Sequence, residues 1–416
     1  MHRPVATVRS VPRSVFLAPF ALLALALSTS CTAASSHSST IDARSAGPRP
    51  SRSASPSPSP GAPPSTKTAA AGRAGGIPPL LDRADVYAAD RPGLLSAEAK
   101  LAKPLVYVPD DDDATVHVID PTTYRVLRVE KVGRLPQHVT PSYDLKTLWV
   151  DNDQGNSLTP IDPRTGRFGR PVPVDDPYNL YFTADGAHAV VVAEKLRRLD
   201  FRDPHTMALQ KSVHVPCSGV DHADFSRDGT RALFSCEFSG QVLWVDMVHA
   251  AVLKTVDLPR QTGLRPKPQD VKISPDGSTF YVADENSNGV YLIDAGTQQV
   301  RSFLPTGLGA HGLYVSRDSR DLYITNRKGA SVSVLSFATR SVRAIWRIPG
   351  SSPDMGGLNA DGTVLWLSGR YTREVYAIST RDGHLLARIP VGGQPHGLCV
   401  WPQPGRYSLG HTGVLR

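Results

Sequence analysis

Four histidines and three aspartates lie six or seven residues before a turn that recurs along the chain. Imidazole and carboxylate groups bind transition metals and polar ligands, so their concentration at equivalent positions of a repeat indicates a site. The excess is clear, because fourteen such positions hold four of only 13 histidines in 416 residues. The candidate binding residues are His138, Asn179, Asp221, His222, Asp270, His311, Asp354 and His396.

The four imidazoles allow more than one interpretation. His138, His222, His311 and His396 are candidate ligands for Cu, Zn or Fe, since neutral imidazole suits all three ions. The same groups also suit a small ligand or polymer, or hydrogen bonds to the backbone of a neighbouring repeat. Successive residues of a strand point to opposite faces, so Asp221 and His222 are expected to point apart. That expectation argues against a single site containing all of these residues.

Local catalytic motifs are missing from the sequence. It contains no His-Glu-x-x-His, Gly-x-Ser-x-Gly, Gly-x-x-x-x-Gly-Lys or Cys-x-x-Cys pattern. An active site assembled from separate repeats leaves no such signature. The sequence is therefore compatible with an enzyme but does not indicate which reaction it would catalyse.

The elements that carry the candidate residues follow a repeat of 41 to 48 residues. The pattern is an apolar strand, a Ser-x-Asp-Gly turn, a second strand, a third strand of the type Val-x-Val-Ile-Asp and a fourth strand, with Asp-Gly intact in four of the units. Asp-Gly is a strong hairpin signal, and β-branched and aromatic residues favour strands. A period of this length suits a four-stranded propeller blade. The seven turn anchors are Asp144, Asp185, Asp228, Asp276, Asp318, Asp361 and Gln403.

Seven anchors predict an all-β, seven-bladed β-propeller over residues 105–416, preceded by a lead-in segment at 76–104. The chain begins on a second strand, Leu105-Val-Tyr-Val, and ends on a first strand at 396–401. The C-terminal strand is therefore expected to join the N-terminal blade and close the ring, which removes free sheet edges. Since the turns lie on one face of the disc, the candidate residues are expected on the other, at the mouth of the central channel.

Three motifs carry a resemblance to a known family. Val290-Tyr-Leu-Ile-Asp, Ser274-Pro-Asp-Gly and Pro395-His-Gly resemble the YVTN-type repeats of bacterial surface and periplasmic β-propellers. The similarity covers residues 105–416 and implies a seven-bladed propeller, distantly similar to that of nitrous-oxide reductase. Because propellers host many unrelated chemistries, the resemblance implies a fold and not a reaction.

Two of the cysteines are expected to form a disulfide. Pairing across the Asp228-Gly turn places Cys236 opposite residue 221, which is only a few loop residues from Cys217. Cys399 is expected to be a buried free thiol. A disulfide indicates an oxidising compartment outside the cytoplasm.

The N-terminal segment indicates export. Basic residues precede an apolar run at 15–27, which is the order of a secretory signal peptide. Ser28-Thr-Ser-Cys31 resembles a bacterial lipobox, so residues 1–31 are predicted to be a signal peptide with Cys31 as the lipidation site. Simple secretion after cleavage near Ala33 is the alternative. Residues 32–75 are rich in Ser and Pro and predict a disordered linker.

The charge distribution argues against nucleic-acid binding. Residues 1–104 hold 12 Lys and Arg against 5 Asp and Glu, which leaves 34 against 33 for residues 105–416. A nearly neutral domain has no basic excess with which to neutralise a phosphate backbone. The only membrane contact that the sequence predicts is the lipid anchor.

The final segment is unlike the repeats. Residues 407–413 are polar and rich in Gly, and they are expected either to plug one face of the ring or to fray. His411 is expected to be a surface group and not a fifth ligand.

Together these features favour an extracytoplasmic, lipid-anchored protein of the cell envelope. Its channel mouth is predicted to bind a peptide, a glycan or an envelope protein. A metal-dependent oxidoreductase or lyase is the alternative. A scaffold that presents its loops to another envelope protein is the third hypothesis.

Overall fold

The computed structural model of the protein describes residues 76–411 and 413–416. The predicted signal peptide at 1–31, the predicted lipidation site at Cys31 and the predicted linker at 32–75 lie outside the described residues.

The lead-in at 76–104 contains two short 3-10 helices, Ala88–Asp90 and Ala99–Leu101. No helix in the described ranges is long and apolar enough to cross a membrane. The backbone amide of Val86 donates to the Pro275 carbonyl at 2.8 Å, and the Tyr87 side chain is buried among inner strands. The lead-in therefore packs against the domain on the face that carries the turns.

Seven antiparallel sheets form the ring, as the sequence predicts. Blade 1 contains β1 (Leu105–Asp110), β2 (Thr115–Asp120) and β3 (Arg125–Lys131). Blade 2 contains β4 (Pro136–Pro141), β5 (Leu148–Asn152), β6 (Ser157–Asp162), β7 (Arg167–Phe168) and β8 (Val172–Pro173). Blade 3 contains β9 (Asn179–Phe182), β10 (Ala189–Ala193), β11 (Arg198–Arg202) and β12 (Leu209–His214).

The remaining blades each have four strands. Blade 4 contains β13 (Val220–Phe225), β14 (Arg231–Cys236), β15 (Gln241–Asp246) and β16 (Ala251–Asp257). Blade 5 contains β17 (Pro268–Ile273), β18 (Thr279–Asp284), β19 (Gly289–Asp294) and β20 (Val300–Pro305). Blade 6 contains β21 (Ala310–Val315), β22 (Asp321–Asn326), β23 (Ser331–Ser336) and β24 (Ser341–Arg347). Blade 7 contains β25 (Pro353–Leu358), β26 (Val364–Gly369), β27 (Glu374–Ser379) and β28 (Leu385–Pro390).

The C-terminal strand closes the ring. After β28 the chain forms β29 (Cys399–Trp401), which pairs with β1 so that Trp401 lies opposite Leu105 and Cys399 opposite Tyr107. The first blade is thus built from both ends of the domain, and the closure predicted from the sequence is confirmed.

Burial within a blade depends on distance from the channel. The inner strands β17 and β18 are buried along their whole length, whereas in the outermost strand β24 exposed residues alternate with half-buried ones and the buried Trp346. Inner strands have neighbours on both faces, so even polar residues of β17 such as Gln269 and Asp270 are buried. Trp244 packs edge-on against Phe280 of the next blade with 5.3 Å between ring centroids, so the core lies between blades.

The Ser-x-Asp-Gly turns fix the polarity of each blade. In blade 4, Ser226 donates to Asp228 Oδ1 at 2.6 Å and accepts the backbone amide of Arg231 at 3.0 Å. Gly229 has a φ of +69°, and a Cβ atom there would lie 2.4 Å from the Ala184 side chain, so glycine is required. The turns lie at one end of the inner strands and the candidate binding residues at the other.

The tail plugs the turn end of the channel. Strands β30 (Ser408–Gly410) and β31 (Val414–Leu415) extend the sheet of blade 3 inward, where Gly410 pairs with Tyr181. Of the two alternatives predicted for this segment, the structure shows the plug. The prediction that His411 lies at the surface is wrong, since only 1% of this residue is exposed. The backbone amide of His411 donates to the Leu180 carbonyl at 3.2 Å, which holds the residue in the channel.

A disulfide joins Cys217 to Cys236, with 6.0 Å between their Cα atoms. It ties the loop before β13 to the end of β14, on the mouth side of blade 4. Cys399 is a buried free thiol, as predicted. A structural disulfide is consistent with a location outside the cytoplasm.

Candidate functional site

A β-bulge occurs at the start of five innermost strands. The register shifts between Val220 and Ala223 in blade 4 and between Ala310 and Leu313 in blade 6, with similar shifts in blades 2, 5 and 7. A bulge leaves residues outside the ladder and re-aims their side chains. His222 Nε2 consequently lies 3.1 Å from Asp221 Oδ1. The expectation that these adjacent residues point apart is therefore wrong.

Five imidazoles meet in the channel as one cluster, which we call the histidine cluster. It contains the four predicted histidines and His411 from the tail. The shortest distance between ring centroids is 3.9 Å, from His138 to His411, and His222 follows at 4.9 Å from His411. His396 lies 4.9 Å from His138, and His311 lies 6.2 Å from His396. All five residues are at most 2% exposed.

The histidine cluster divides into two groups of potential ligands. In the first group, ring nitrogens of His138, His222 and His411 lie within 4.8 Å of one another. In the second, the same limit holds for His311, His396 and the Asp354 carboxylate. The two groups adjoin through the His138–His396 contact.

Hydrogen bonds orient the first group. His138 Nδ1 lies 2.9 Å from the Tyr178 carbonyl oxygen, which only accepts, so Nδ1 carries the proton and Nε2 keeps its lone pair. His222 Nδ1 lies 3.1 Å from the Asn179 side-chain amide, which offers either a donor or an acceptor. Within the described part of the chain, Nε2 of His138 and of His411 is buried without a hydrogen-bond partner, and the 3.1 Å contact of His222 Nε2 with Asp221 lacks hydrogen-bond geometry. Orphaned ring nitrogens with a polar partner behind them are typical of metal ligands.

The second group is bound by a side-chain cation. The Arg327 guanidinium contacts Asp354 Oδ1, with Nη2 at 2.5 Å and Nε at 2.8 Å, and also contacts His311 Nε2. Because arginine only donates, His311 Nε2 is the acceptor. The Arg327 guanidinium therefore already occupies the position in which a metal cation would contact the second group. The first group is the better candidate for a metal ion.

Burial keeps the imidazoles neutral. It lowers the pKa of His138 to about 3 and holds the pKa values of His222, His311, His396 and His411 well below their usual range. A metal binds the unprotonated ring, so these shifts favour coordination at neutral pH.

The remaining predicted residues have other surroundings. Asp270 lies 3.5 Å from the Lys272 ammonium and accepts the backbone amide of Leu313 at 2.9 Å, so it links blades 5 and 6. Asp221 is fully buried, and apart from the 3.1 Å contact of Oδ1 with His222 its oxygens have no hydrogen-bond partner among the described residues. Burial, followed by repulsion from Glu237, raises the pKa of Asp221 well above its usual range.

Ion pairs cross the mouth above the histidine cluster. Arg370 binds Asp111 at 2.6 Å, joining blades 7 and 1. Lys267 bridges Glu237 and Glu285 at 2.9 and 3.1 Å, and Arg327 approaches Glu285 at 3.6 Å. Sequence reasoning did not find these links, because their members lie on loops of different blades.

The fold and the channel define this protein as a closed seven-bladed β-propeller with a histidine-lined centre. The chain belongs to the YNCE-like beta-propeller family, whose model matches residues 84–404. This confirms the propeller resemblance seen in the sequence.

The chain is similar to one curated protein in sequence and to two solved structures in fold. The uncharacterised protein YncE of Salmonella typhi is 20% identical over 298 residues, which cover 65% of this chain and 80% of that protein. A functionally unknown protein from Desulfotomaculum acetoxidans superposes with a TM-score of 0.62 at 15% identity, over 72% of this chain and 99% of that chain. Hydrazine synthase of Kuenenia stuttgartiensis superposes with a TM-score of 0.53 at 20% identity, over 62% and 87%. At these identities the structural likeness shows the fold alone.

Proposed function

We propose that this protein is an extracytoplasmic β-propeller that binds a transition-metal ion in its channel through His138, His222 and His411. The observation that carries the proposal is the convergence of three buried imidazoles whose ligand atoms lie within 4.8 Å of one another. Cu, Zn and Fe are the ions that such donors suit. Three protein ligands leave a coordination position for an exogenous ligand, which is typical of catalytic and not of structural zinc sites.

The second candidate function is that of a metal-dependent oxidoreductase or lyase at the same ion. The exchangeable position favours it, because a substrate needs direct access to the metal. His311, His396 and Asp354 would then lie beside the ion, with Arg327 as the neighbouring cation. Turnover that depends on the bound metal would distinguish this enzyme from a binding protein.

Burial favours an ion over a polymer as the ligand of the histidine cluster. The imidazoles are at most 2% exposed, and the ion pairs at the mouth lie above them. A peptide, glycan or envelope protein would contact the rim loops and not the rings. Such a partner is compatible with the metal site and would bind independently of it.

We further propose that the protein is exported and lipid-anchored at Cys31. The signal-like order of the N-terminal residues and the Cys217–Cys236 disulfide support this location. Replacing Cys31 with Ala should move the protein from the membrane fraction to the soluble fraction. Unchanged membrane retention would contradict the anchor.

The metal proposal is tested on protein purified without a chelator or a metal-affinity tag. Elemental analysis and titration with Cu²⁺ and Zn²⁺ should find one tightly bound ion per chain. The double variant His138→Asn/His222→Asn should lose at least about 100-fold in affinity, since it removes two of three ligands, whereas outer-shell changes alone cost about 10- to 100-fold.

The matched control is His249→Asn, because the His249 side chain is 77% exposed and lies far from the channel in blade 4. This variant should keep full metal binding. Metal binding that persists in the double variant, or the lack of a tight site in the wild type, would overturn the proposal. Far-UV circular dichroism of each variant confirms that the propeller is folded.

A further inference from the structure

A cavity of about 840 Å³ opens on the mouth face, between blades 2, 3 and 4. Small-molecule sites commonly have volumes of about 300–1,000 Å³. Tyr178 lies between this cavity and the histidine cluster, with its ring 5.6 Å from that of His138 and 6.4 Å from that of His222. A molecule in the cavity would therefore lie one side-chain layer away from the channel imidazoles.

Carboxylates form part of the cavity wall. Asp153, Asp176 and Glu194 line it, on loops from blades 2 and 3. Glu194 Oε1 is buried, and no described residue forms a hydrogen bond with it. Glu237 and Asp221 add negative charge nearby, since both carboxylates act electrostatically with Glu194. Lys267 binds Glu237, but Glu194 has no ion pair in the described part of the protein.

Each carboxylate disfavours ionisation of its neighbours unless a cation lies between them. Burial, together with repulsion from Glu237 and Asp153, raises the pKa of Glu194 to about 8. Burial and a hydrogen bond to Asp176 raise the pKa of Asp153 to about 7. A positive group placed between these side chains would relieve the repulsion and favour their ionised forms.

Basic and apolar groups also line the cavity. The basic residues are Arg134, Lys195 and Arg197, and the Lys195 ammonium partly offsets the rise in the pKa of Asp153. Arg197 is engaged by backbone, donating to the Pro216 and Cys217 carbonyls at 2.6 and 3.0 Å. Leu196 and Phe238 also line the cavity and are 45% and 55% exposed. These large apolar surfaces are available to cover the hydrocarbon part of a ligand.

We propose that this cavity binds an organic amine. Its ammonium group lies against Glu194 and Asp153, and its apolar part lies against Leu196 and Phe238. A bare metal ion fits less well, because the volume far exceeds that of an ion and the carboxylates are not among the groups whose ligand atoms converge within 4.8 Å. The inference goes beyond the metal proposal and does not depend on it.

The test uses three probes with the same aromatic part but different charge. Full-length protein is titrated calorimetrically with phenethylamine, 2-phenylethanol and 3-phenylpropionate. The amine should bind at least 10-fold more tightly than the alcohol, and the carboxylate should bind most weakly. The affinity for the amine should rise between pH 6 and pH 8, because Asp153 and Glu194 ionise in this range.

Variants locate the ammonium group. Glu194→Gln keeps the shape of the side chain and should weaken amine binding at least 10-fold, while binding of 2-phenylethanol stays unchanged. Asp175→Asn is the matched control, because Asp175 lies next to Asp176 in the sequence but its side chain is 69% exposed and outside the cavity lining. Asp153→Asn provides a second test if the first variant is poorly folded.

Three outcomes would overturn the inference. Equal binding of amine and alcohol would show an apolar cavity without charge recognition. Tighter binding of 3-phenylpropionate would show that the cavity binds an anion through its basic residues, Arg134, Lys195 and Arg197. Unchanged amine binding in both Glu194→Gln and Asp153→Asn would place the ammonium elsewhere. Each titration is repeated on chelator-treated protein, where amine binding should persist, so a failed metal proposal leaves this result intact.

Discussion

The two ends of the central channel are both buried, but their polar groups are satisfied differently. At the turn end, Asp224 accepts hydrogen bonds from Arg416 at 2.8 Å, from the Tyr87 hydroxyl at 3.1 Å and from the backbone amide of Ile273 at 2.9 Å. At the mouth end, each of the five imidazoles keeps one buried ring nitrogen without a hydrogen bond from the described residues. Two of these nitrogens, in His222 and His311, lie 3.1 Å from a neighbouring carboxylate oxygen but lack hydrogen-bond geometry.

This difference suggests that one end of the channel stabilises the fold and that the other end binds a ligand. Leaving a buried polar atom without a partner costs about 1–3 kcal/mol, so native proteins satisfy most such atoms. Asp224 at the turn end follows that rule, and its contacts join the lead-in, the tail and two blades. Asp90 Oδ1 is an exception there, because it is buried without a hydrogen-bond partner among the described residues. The histidine cluster departs from the rule, as expected of a site whose partner is a ligand. The turn end should therefore govern stability, and the mouth end should govern binding.

The largest expected effect follows from breaking the turn end. Arg416→Ala leaves the fully buried Asp224 carboxylate without its ion pair and removes the guanidinium that lies 4.9 Å from the Tyr87 ring centroid. Removing one partner of a buried ion pair costs about 3–5 kcal/mol. Urea unfolding should show a loss of this size in the free energy of unfolding.

The control for this change is Arg406→Ala on the same tail. Arg406 donates to the Pro79 carbonyl at an exposed site, so its loss should cost less than about 1 kcal/mol. If Arg416→Ala lowers the free energy of unfolding no more than Arg406→Ala does, the buried contacts at the turn end do not govern stability as proposed.

The next largest effect concerns the disulfide on the mouth side. Cys217 and Cys236 are separated by 19 residues, and closing a loop of this length stabilises the folded state by about 3 kcal/mol in the chain-entropy model. The Cys217→Ala/Cys236→Ala variant should show this loss in urea unfolding while retaining the metal site. Dithiothreitol should destabilise the wild type but leave the double variant unchanged. A loss below about 1 kcal/mol would show that the hydrogen bonds between the strands of blade 4 stabilise the mouth side without the disulfide.

The blades were predictable because their signals are local and repeated. Each turn and each apolar strand specifies its own hairpin, four of the seven turns contain Asp-Gly, and the repeated units reinforce one another. The positions of His138, His222, His311 and His396 followed from counting back from those turns. The two-residue periodicity of strands predicted that Asp221 and His222 point apart. A bulge changes their directions, and no distinctive residue type marks that bulge in the sequence.

The missing parts of the site depend on contacts between distant segments. His411 lies in a tail without the repeat pattern, and its position follows from pairing of Gly410 with Tyr181, far away in sequence. Arg327 reaches Asp354 from the loop of a neighbouring blade. Only the unusual polar, Gly-rich composition of residues 407–413 indicated that the tail has a separate role.

The smallest of the three effects is a pH dependence of the mouth end, tested on metal-free protein. The pKa of His138 is about 3 in the folded protein and about 6.5 in the unfolded chain. Below pH 6.5 the unfolded state binds the extra proton, so stability falls with pH by up to about 1.4 kcal/mol per unit for this histidine. Between pH 6.5 and pH 5 the wild type should lose about 1.6 kcal/mol more than His138→Asn, measured by urea unfolding. The exposed-site control His249→Asn should follow the wild type. If His138→Asn also follows it, His138 is not held neutral by burial, and the mouth end would differ less from the turn end than its orphaned nitrogens indicate.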